Sequence, residues 1–236
     1  MDFREILSDA MVYPFNNIVS LVIYAVLGIV GGLVVAGSLS GIIFGMNTQN
    51  ILAILGSGFL GFVVALIVSF FISGYSLDIV KLGIGRSPEG PSIDPFRQFF
   101  NGVKLFVVSI VYYLIPFIII GLLSIFFKDW IIILASIALI ILFALAQYMA
   151  LCRLAKTEDL AYALSVGEAI GDISKVGFVN LIIFVVISVI ISFVLFLIAA
   201  LIARWNTFAG GVLMGIIGVY LIFFIARATG LLYSEV

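Results

Sequence analysis

The stretch VGFVNLIIFVVISVIISFVLFLIAALIA, residues 176–203, carries no charged side chain from end to end. About 20 apolar residues suffice to cross a hydrocarbon layer of roughly 30 Å as a helix, so this run is long enough with residues to spare. Its apolar residues are continuous rather than alternating, and a continuous apolar segment satisfies its own backbone in lipid only as an α-helix. Comparable runs fall at about 17–45, 51–77, 105–127, 130–152 and 205–226. Connections between them alternate short and long, which predicts three helical hairpins. The expected fold is all-α, a polytopic transmembrane bundle of six helices forming one integral membrane domain over residues 1–236.

Composition supports this class. Hydrophobic residues make up 65% of the chain and charged residues 10%, whereas a soluble domain carries about a quarter charged residues. The formal net charge of −1 offers no general basic face, so a nucleic-acid partner is not expected. There is no histidine and one cysteine, Cys152, which excludes an intramolecular disulfide and the usual zinc and copper ligand sets. No metal or cofactor is expected. The first apolar run is longer than the apolar segment of a signal peptide, and Asp2, Arg4, Glu5 and Asp9 make a start of mixed charge. It is therefore expected to be a retained span.

Lysine and arginine set the expected orientation. Arg4, Lys81, Arg86, Arg97, Lys104, Arg153, Lys156, Lys175 and Arg227 fall on one side of the six spans, and only Lys128 and Arg204 on the other. Both termini should face the cytoplasm of a cell membrane.

On that same side the sequence predicts short amphipathic helices. In residues 1–13, Phe3, Ile6, Leu7, Ala10 and Met11 share one helical face, Asp2 and Glu5 are spaced as a capping box, and Pro14 blocks smooth continuation. A second block starts with Asp94 as N-cap and Pro95 at the first helical position, with Phe96, Phe99, Phe100 and Val103 as its stripe. A third follows Thr157, Glu158 and Asp159, with Leu160, Ala163, Leu164, Ala169, Ile170 and Ile173. In register, Ser8, Asn101 and Gly171 correspond, then Asp9, Gly102 and Asp172, each block preceding an odd-numbered span. Two readings stand. The chain is a parallel threefold repeat of interfacial helix plus hairpin, or each block is only the polar-to-apolar transition that any re-entry into lipid requires.

No span carries an ionisable group at mid-depth, so a proton relay or charge-coupled pump lacks its parts. Arg153, Arg204 and Arg227 lie near span ends, from which they can snorkel to the headgroups. Polar residues within spans, among them Ser109, Gln147, Ser188 and Ser192, are expected to hydrogen-bond between helices. Pro116 should kink the third span near Tyr112. Gly28, Gly32, Gly37, Gly41 and Gly45, with Gly211 and Gly215, recur mostly at four-residue spacing and predict helix-packing faces. The loop VKLGIGRSPEGPSIDP, residues 80–95, lacks the lysine and hydroxyl residue of a phosphate loop. Lys81, Arg86, Arg97, Lys104, Arg153, Lys156 and Lys175 are candidate lipid-headgroup contacts. Glu158, Asp159, Glu168 and Asp172 read as helix-start and solvated-face residues, so no catalytic set is expected.

The order GYSLDIVKLGIG, Pro91, Asp94, Phe100-Asn101-Gly102, Lys104, Tyr112 and Pro116, with the later segment MALCRLAKTEDLAYALSVGEAI, resembles a family of uncharacterised six-span membrane proteins, a domain of unknown function found largely in methanogenic archaea. The resemblance implies the six-span fold and an archaeal plasma membrane, and supplies no catalytic residue. The architecture is more distantly similar to the membrane regions of some glycerophosphodiester phosphodiesterases. The functional expectation is a non-enzymatic scaffold or accessory subunit in contact with membrane lipid and with a membrane-protein partner or further copies of itself. The alternative is a transporter or lipid-handling protein with a cavity between hairpins.

Overall fold

Polar side chains at the turns decide where each helix begins. Asn50 accepts from the backbone N–H of Ala53 at 3.1 Å, Asp94 from Arg97 at 3.2 Å, and Asn206 from Ala209 at 3.0 Å, each quenching an amide that the first helical turn leaves without a partner. The computed structural model describes residues 3–127 and 129–234, without the side chains of Asp129 and Thr207. The expectations for Asp2 and Lys128 thus lie outside the described residues.

The elements are α1 (Phe3–Asn16), α2 (Ile18–Asn47), α3 (Ile51–Ile84), α4 (Pro95–Phe126), α5 (Asp129–Thr157), α6 (Leu160–Ala163), α7 (Val166–Val176), α8 (Phe178–Trp205) and α9 (Thr207–Tyr233), with no strand among the described residues. Six of them, α2, α3, α4, α5, α8 and α9, are long and apolar enough to cross a membrane. They pair as the hairpins α2–α3, α4–α5 and α8–α9.

Boundaries differ from the sequence reading in two instructive ways. The second span continues past residue 77 to Ile84 because Asp78 finds Arg97 on α4 and Lys81 finds Glu158 just past the end of α5, so both stay helical beyond the apolar run. The second amphipathic block is not a separate element. α4 runs unbroken from Pro95 through Pro116 to Phe126, whereas the first block is divided from its span at Asn17 and the third at Gly177, whose φ of 97° suits a residue without Cβ.

Helices α3, α5 and α9 are the inner ones. Toward the end of the bundle that holds the charges, Tyr75, Ile79 and Val80 of α3, Met149, Ala150 and Leu154 of α5, and Phe223, Phe224 and Leu231 of α9 are buried. α2 packs on α3 and α9, α4 on α3 and α5, and α8 on α9, while α1 lies against α9 and α7 against α5. Tyr24 stacks on Tyr75 with centroids 4.3 Å apart, and Phe223 closes the cluster at 5.1 Å from Tyr75. At the other end the helices expose large apolar side chains, among them Phe59, Phe126, Phe208 and Trp205, a surface that hydrocarbon and headgroups satisfy and water does not.

Glycines permit the closest approaches, but only part of the predicted set does so. A Cβ on Gly41 would strike Ser57, one on Gly45 would reach Ile54 at 2.7 Å, one on Gly215 would reach Ile29 at 2.7 Å, and Gly28 lies in ordinary contact with Val219. Gly32, Gly37 and Gly211 have nothing within 4 Å and line open space instead. The tightest seams use other glycines. Gly74 abuts the Gln98 carbonyl and Gly102 the Phe70 carbonyl, so α3 and α4 touch backbone to backbone, and Gly83 meets Gly230 where α3 crosses α9.

Candidate functional site

Each inner helix carries one buried charged residue near the same end, Asp78 on α3, Arg153 on α5 and Arg227 on α9, recurring at an interval of about 75 residues. Each is engaged by the block that opens a hairpin. Asp78 accepts from Arg97 Nη2 at 3.1 Å and from Asn101 Nδ2 at 3.2 Å, both on the first turns of α4. Arg153 donates through Nη1 to Asp172 of α7 at 2.9 Å. Arg227 donates to both oxygens of Asp9 on α1, at 2.7 and 3.3 Å. The three blocks therefore meet the inner helix ends in a cycle, with α1 closing it onto α9; Asp9 and Asp172 hold aligned positions, whereas their counterpart Gly102 abuts Phe70 and α4 engages Asp78 through Arg97 and Asn101 instead. The polarity is reversed at α3, where the inner helix supplies the acid.

The Arg153 cluster is the most enclosed. Arg153 is 2% exposed and Asp172 1%. Glu168 takes the second Arg153 nitrogen, Nε donates to the Tyr162 carbonyl at 3.1 Å, and the guanidinium lies 3.7 Å from the Tyr162 ring centroid. Asp172 also accepts from Tyr233 Oη at 2.8 Å and Lys175 Nζ at 2.6 Å. Burial opposes its ionisation, yet the hydrogen bonds from Lys175, Tyr233 and Arg153 outweigh that and hold its carboxyl below the usual range. Two sequence expectations are corrected here. Arg153 does not snorkel and presents no charge to a headgroup, and Asp172 is not on a solvated face. Arg227 is likewise 2% exposed rather than snorkelled, held by Asp9, the Ser87 carbonyl at 2.6 Å and the Tyr13 ring at 4.8 Å. Burial of the Tyr13 hydroxyl pushes its pKa upward.

Two of the remaining predicted cations, Lys81 and Arg97, line an open cavity of about 400 Å³ together with Asp78, Leu82, Glu89, Gly90, Pro91, Ser92 and Glu158. Lys81 pairs with Glu158, and Lys104 donates to the Glu158 carbonyl at 3.2 Å. The Lys81 hydrogen bond, with the charge of Lys81 and of Lys104 and Arg97 beyond it, holds the Glu158 carboxyl below the ordinary glutamate range. Arg97 uses only Nη2, toward Asp78 and toward the Ser92 carbonyl and hydroxyl at 3.1 and 3.4 Å. Arg86 bonds Ser234 at 3.0 Å, Lys156 lies 5.7 Å from the Tyr233 ring and Lys175 bonds Asp172. Four of the seven predicted headgroup contacts are thus engaged within the protein, Lys81, Arg97 and Lys104 among α3, α4 and the turn after α5, and Arg153 with α6 and α7. Nothing in the sequence shows that Asp78, Glu89 and Glu158 share a cavity: Asp78 follows an apolar run, Glu89 lies in a loop and Glu158 stands beside Asp159 at a helix start.

Of the polar residues expected to bridge helices, Gln147 donates to Ser109 at 3.0 Å between α5 and α4. Ser192 bonds within its own helix, and the Ser188 hydroxyl has no partner among the described residues. A second, apolar crevice of about 710 Å³ lies between α2 and α9, lined by Gly28, Gly32, Ala36, Phe208, Gly211 and Gly215 among others.

A family described as protein of unknown function (DUF4013) matches the chain over residues 57–204. No curated protein and no solved structure matches the chain. The matched segment takes in α4, α5, α6 and α7 whole, most of α3 and nearly all of α8, hence both the Asp78–Arg97 and the Arg153–Asp172 pairs. It agrees with the family resemblance carried by the central glycine, proline and aromatic residues. With well over half of its length matched, the chain belongs to the DUF4013 family of proteins of unknown function.

Proposed function

We propose that the protein is a non-enzymatic multi-pass membrane component, a scaffold or accessory subunit, with its charged face and both ends of the described chain in the cytoplasm. The lysine and arginine distribution supports the orientation. Residence in an archaeal cell membrane, and any kinship with the membrane regions of glycerophosphodiester phosphodiesterases, rest on the sequence resemblance. One observation carries the scaffold reading. The charged ends of all three inner helices are locked by the ion pairs Asp78–Arg97, Arg153–Asp172 and Arg227–Asp9 above a tightly packed core. Such a cap is a rigid platform, and rigid apolar flanks below it are suited to lateral association. Extraction in polymer-bounded native membrane discs, followed by mass measurement and cross-linking, tests this. A defined partner or a stable homo-oligomer is expected, and a lone monomer in every preparation overturns it.

The crevice between α2 and α9 favours a second reading, lipid handling. Its glycine lining leaves room at Gly32 and Gly211 for an acyl or isoprenoid chain. Lipid retained by the wild-type protein and lost from a G32L/G211L variant supports it, and identical lipid content rejects it.

A further inference from the structure

We infer that the cavity between α3, α4 and the α5 end binds a phosphoester headgroup bearing an amine, and that the Glu158 carboxylate occupies its phosphate position in the unliganded protein. The site is independent of whether the bundle scaffolds a partner, because binding is read without one.

Two lysines meet at Glu158, one at its carboxylate and one at its backbone carbonyl, with Arg97 on the same cavity wall. Lys81 pairs with Glu158, Lys104 donates to its carbonyl, and the charge of Arg97 also acts on it. A phosphoester in place of the exposed Glu158 side chain brings a larger set of acceptor oxygens to Lys81 and to the edge of Arg97 that faces away from Asp78. Glu158 is also poorly anchored for a structural acid. Its side chain is 61% exposed, and it sits at φ 58°, a left-handed conformation that glycine or asparagine adopts more readily.

Arg97 is prepared for a ligand. Its Nη2 is spent on Asp78 and Ser92, which fix the plane of the guanidinium, while Nε and Nη1 have no hydrogen-bond partner among the described residues and the side chain is 44% exposed. The unused edge is a two-donor fork of the kind that matches phosphate oxygens. Asp78 does not compete with a ligand anion, because Arg97 and Asn101 already satisfy its oxygens.

The opposite wall has the other sign. Glu89 lines the cavity, is exposed, and its carboxylate has no partner among the described residues. It belongs to the α1 side, since Tyr13 donates to its carbonyl at 3.4 Å and neighbouring Gly90 abuts Asn17. Cations from α3 and α4 on one wall and an acid toward α1 on the other suit a ligand carrying both charges, a phosphoester next to an ammonium. A volume of about 400 Å³ accommodates a headgroup but not its chains, which would pass into the adjoining bilayer.

The purified protein is tested in maltoside micelles by native mass spectrometry with three probes, dihexanoyl phosphatidylethanolamine, dihexanoyl phosphatidylglycerol and soluble O-phosphoethanolamine. The amine lipid should bind about tenfold more tightly than the glycerol lipid. K81Q, which changes an exposed pair, should weaken it about tenfold, E89Q should abolish the preference between the two lipids, and E158Q should strengthen binding several-fold by removing the resident carboxylate. A purely structural Glu158 predicts weaker or unchanged binding in E158Q, and that result overturns the proposal, as does binding of neither amine probe. Competition by O-phosphoethanolamine at the lipid's own concentration assigns the ligand to a soluble source, and its failure to compete assigns it to the membrane.

Discussion

Arg153 of α5 and Asp172 of α7 form an ion pair at 2.9 Å in which the side chains are 2% and 1% exposed. A buried pair gains little over an apolar replacement, but removing one member strands the other, at about 3–5 kcal/mol. The cluster around it shares the load: Glu168, Lys175, Tyr162 and Tyr233 all bond to one member or the other.

For this cluster, R153M is expected to lower stability by about 3 kcal/mol or more, because Asp172 loses its buried counter-charge. E168Q, which alters a side chain 61% exposed, should cost under about 1 kcal/mol. Denaturation followed in detergent by circular dichroism checks both. Equal effects would contradict the assignment of the buried pair as the dominant contact.

The Asp9–Arg227 contact predicts a local effect. D9N removes a charged acceptor from an arginine that is 2% exposed, and should cost about 1–3 kcal/mol. Because α1 packs chiefly on α9, the variant should show faster proteolysis within residues 3–16 and little change in the amide-exchange protection of α4 and α5. Uniform loss of protection across the bundle would argue against α1 as a separable clasp.

Glycine substitutions divide by position. G74A and G102A push a methyl group against the backbone carbonyls of Gln98 and Phe70, which cannot yield as a side-chain tip does. Each should cost about 1–3 kcal/mol or prevent accumulation of folded protein. G32A and G211A meet nothing within 4 Å and should change the thermal midpoint by no more than a degree or two, or raise it slightly through better helix propensity.

Acid should weaken the charged face. The carboxyls of Asp172 and Glu158 are held below their ordinary values of 3.8 and 4.5. A lowered pKa in the folded state contributes stability that is complete above the unfolded value and disappears as pH falls through the folded one. Stability from these two groups should therefore be level above about pH 5 and fall as acid is added below pH 4. In D172N the Asp172 share of that fall should vanish, as measured by thermal unfolding across the range.

Much of the architecture could be read directly from residues 176–203 and the five similar runs, because the constraint that lipid places on a backbone is local and severe. The charge pairs could not. Arg153 and Arg227 look like ordinary flanking cations, since a residue near a span end reaches the headgroups unless another element covers it, and α7 and α1 provide that cover from distant parts of the chain. Asp172 looked solvated for the same reason. Its neighbours Gly171, Ser174 and Lys175 are polar or small, and nothing within α7 announces that Arg153 waits on the other side. The glycine spacing was legible as a small-residue face, but whether Gly32 or Gly102 marks the true seam depends on which helix lies opposite.

The closing of the cycle by Asp9 and Arg227 also sets an order of assembly. Asp9 is synthesised before any of the six spans, and its arginine comes near the end of the last one. During synthesis the acid at the start has no counterpart, and the first five spans must enter the bilayer with that corner of the molecule unfinished. The last helix to arrive is therefore the one that completes the fastening, so a ribosome stalled within α9 should leave α1 digestible while the α3–α4 seam has already formed.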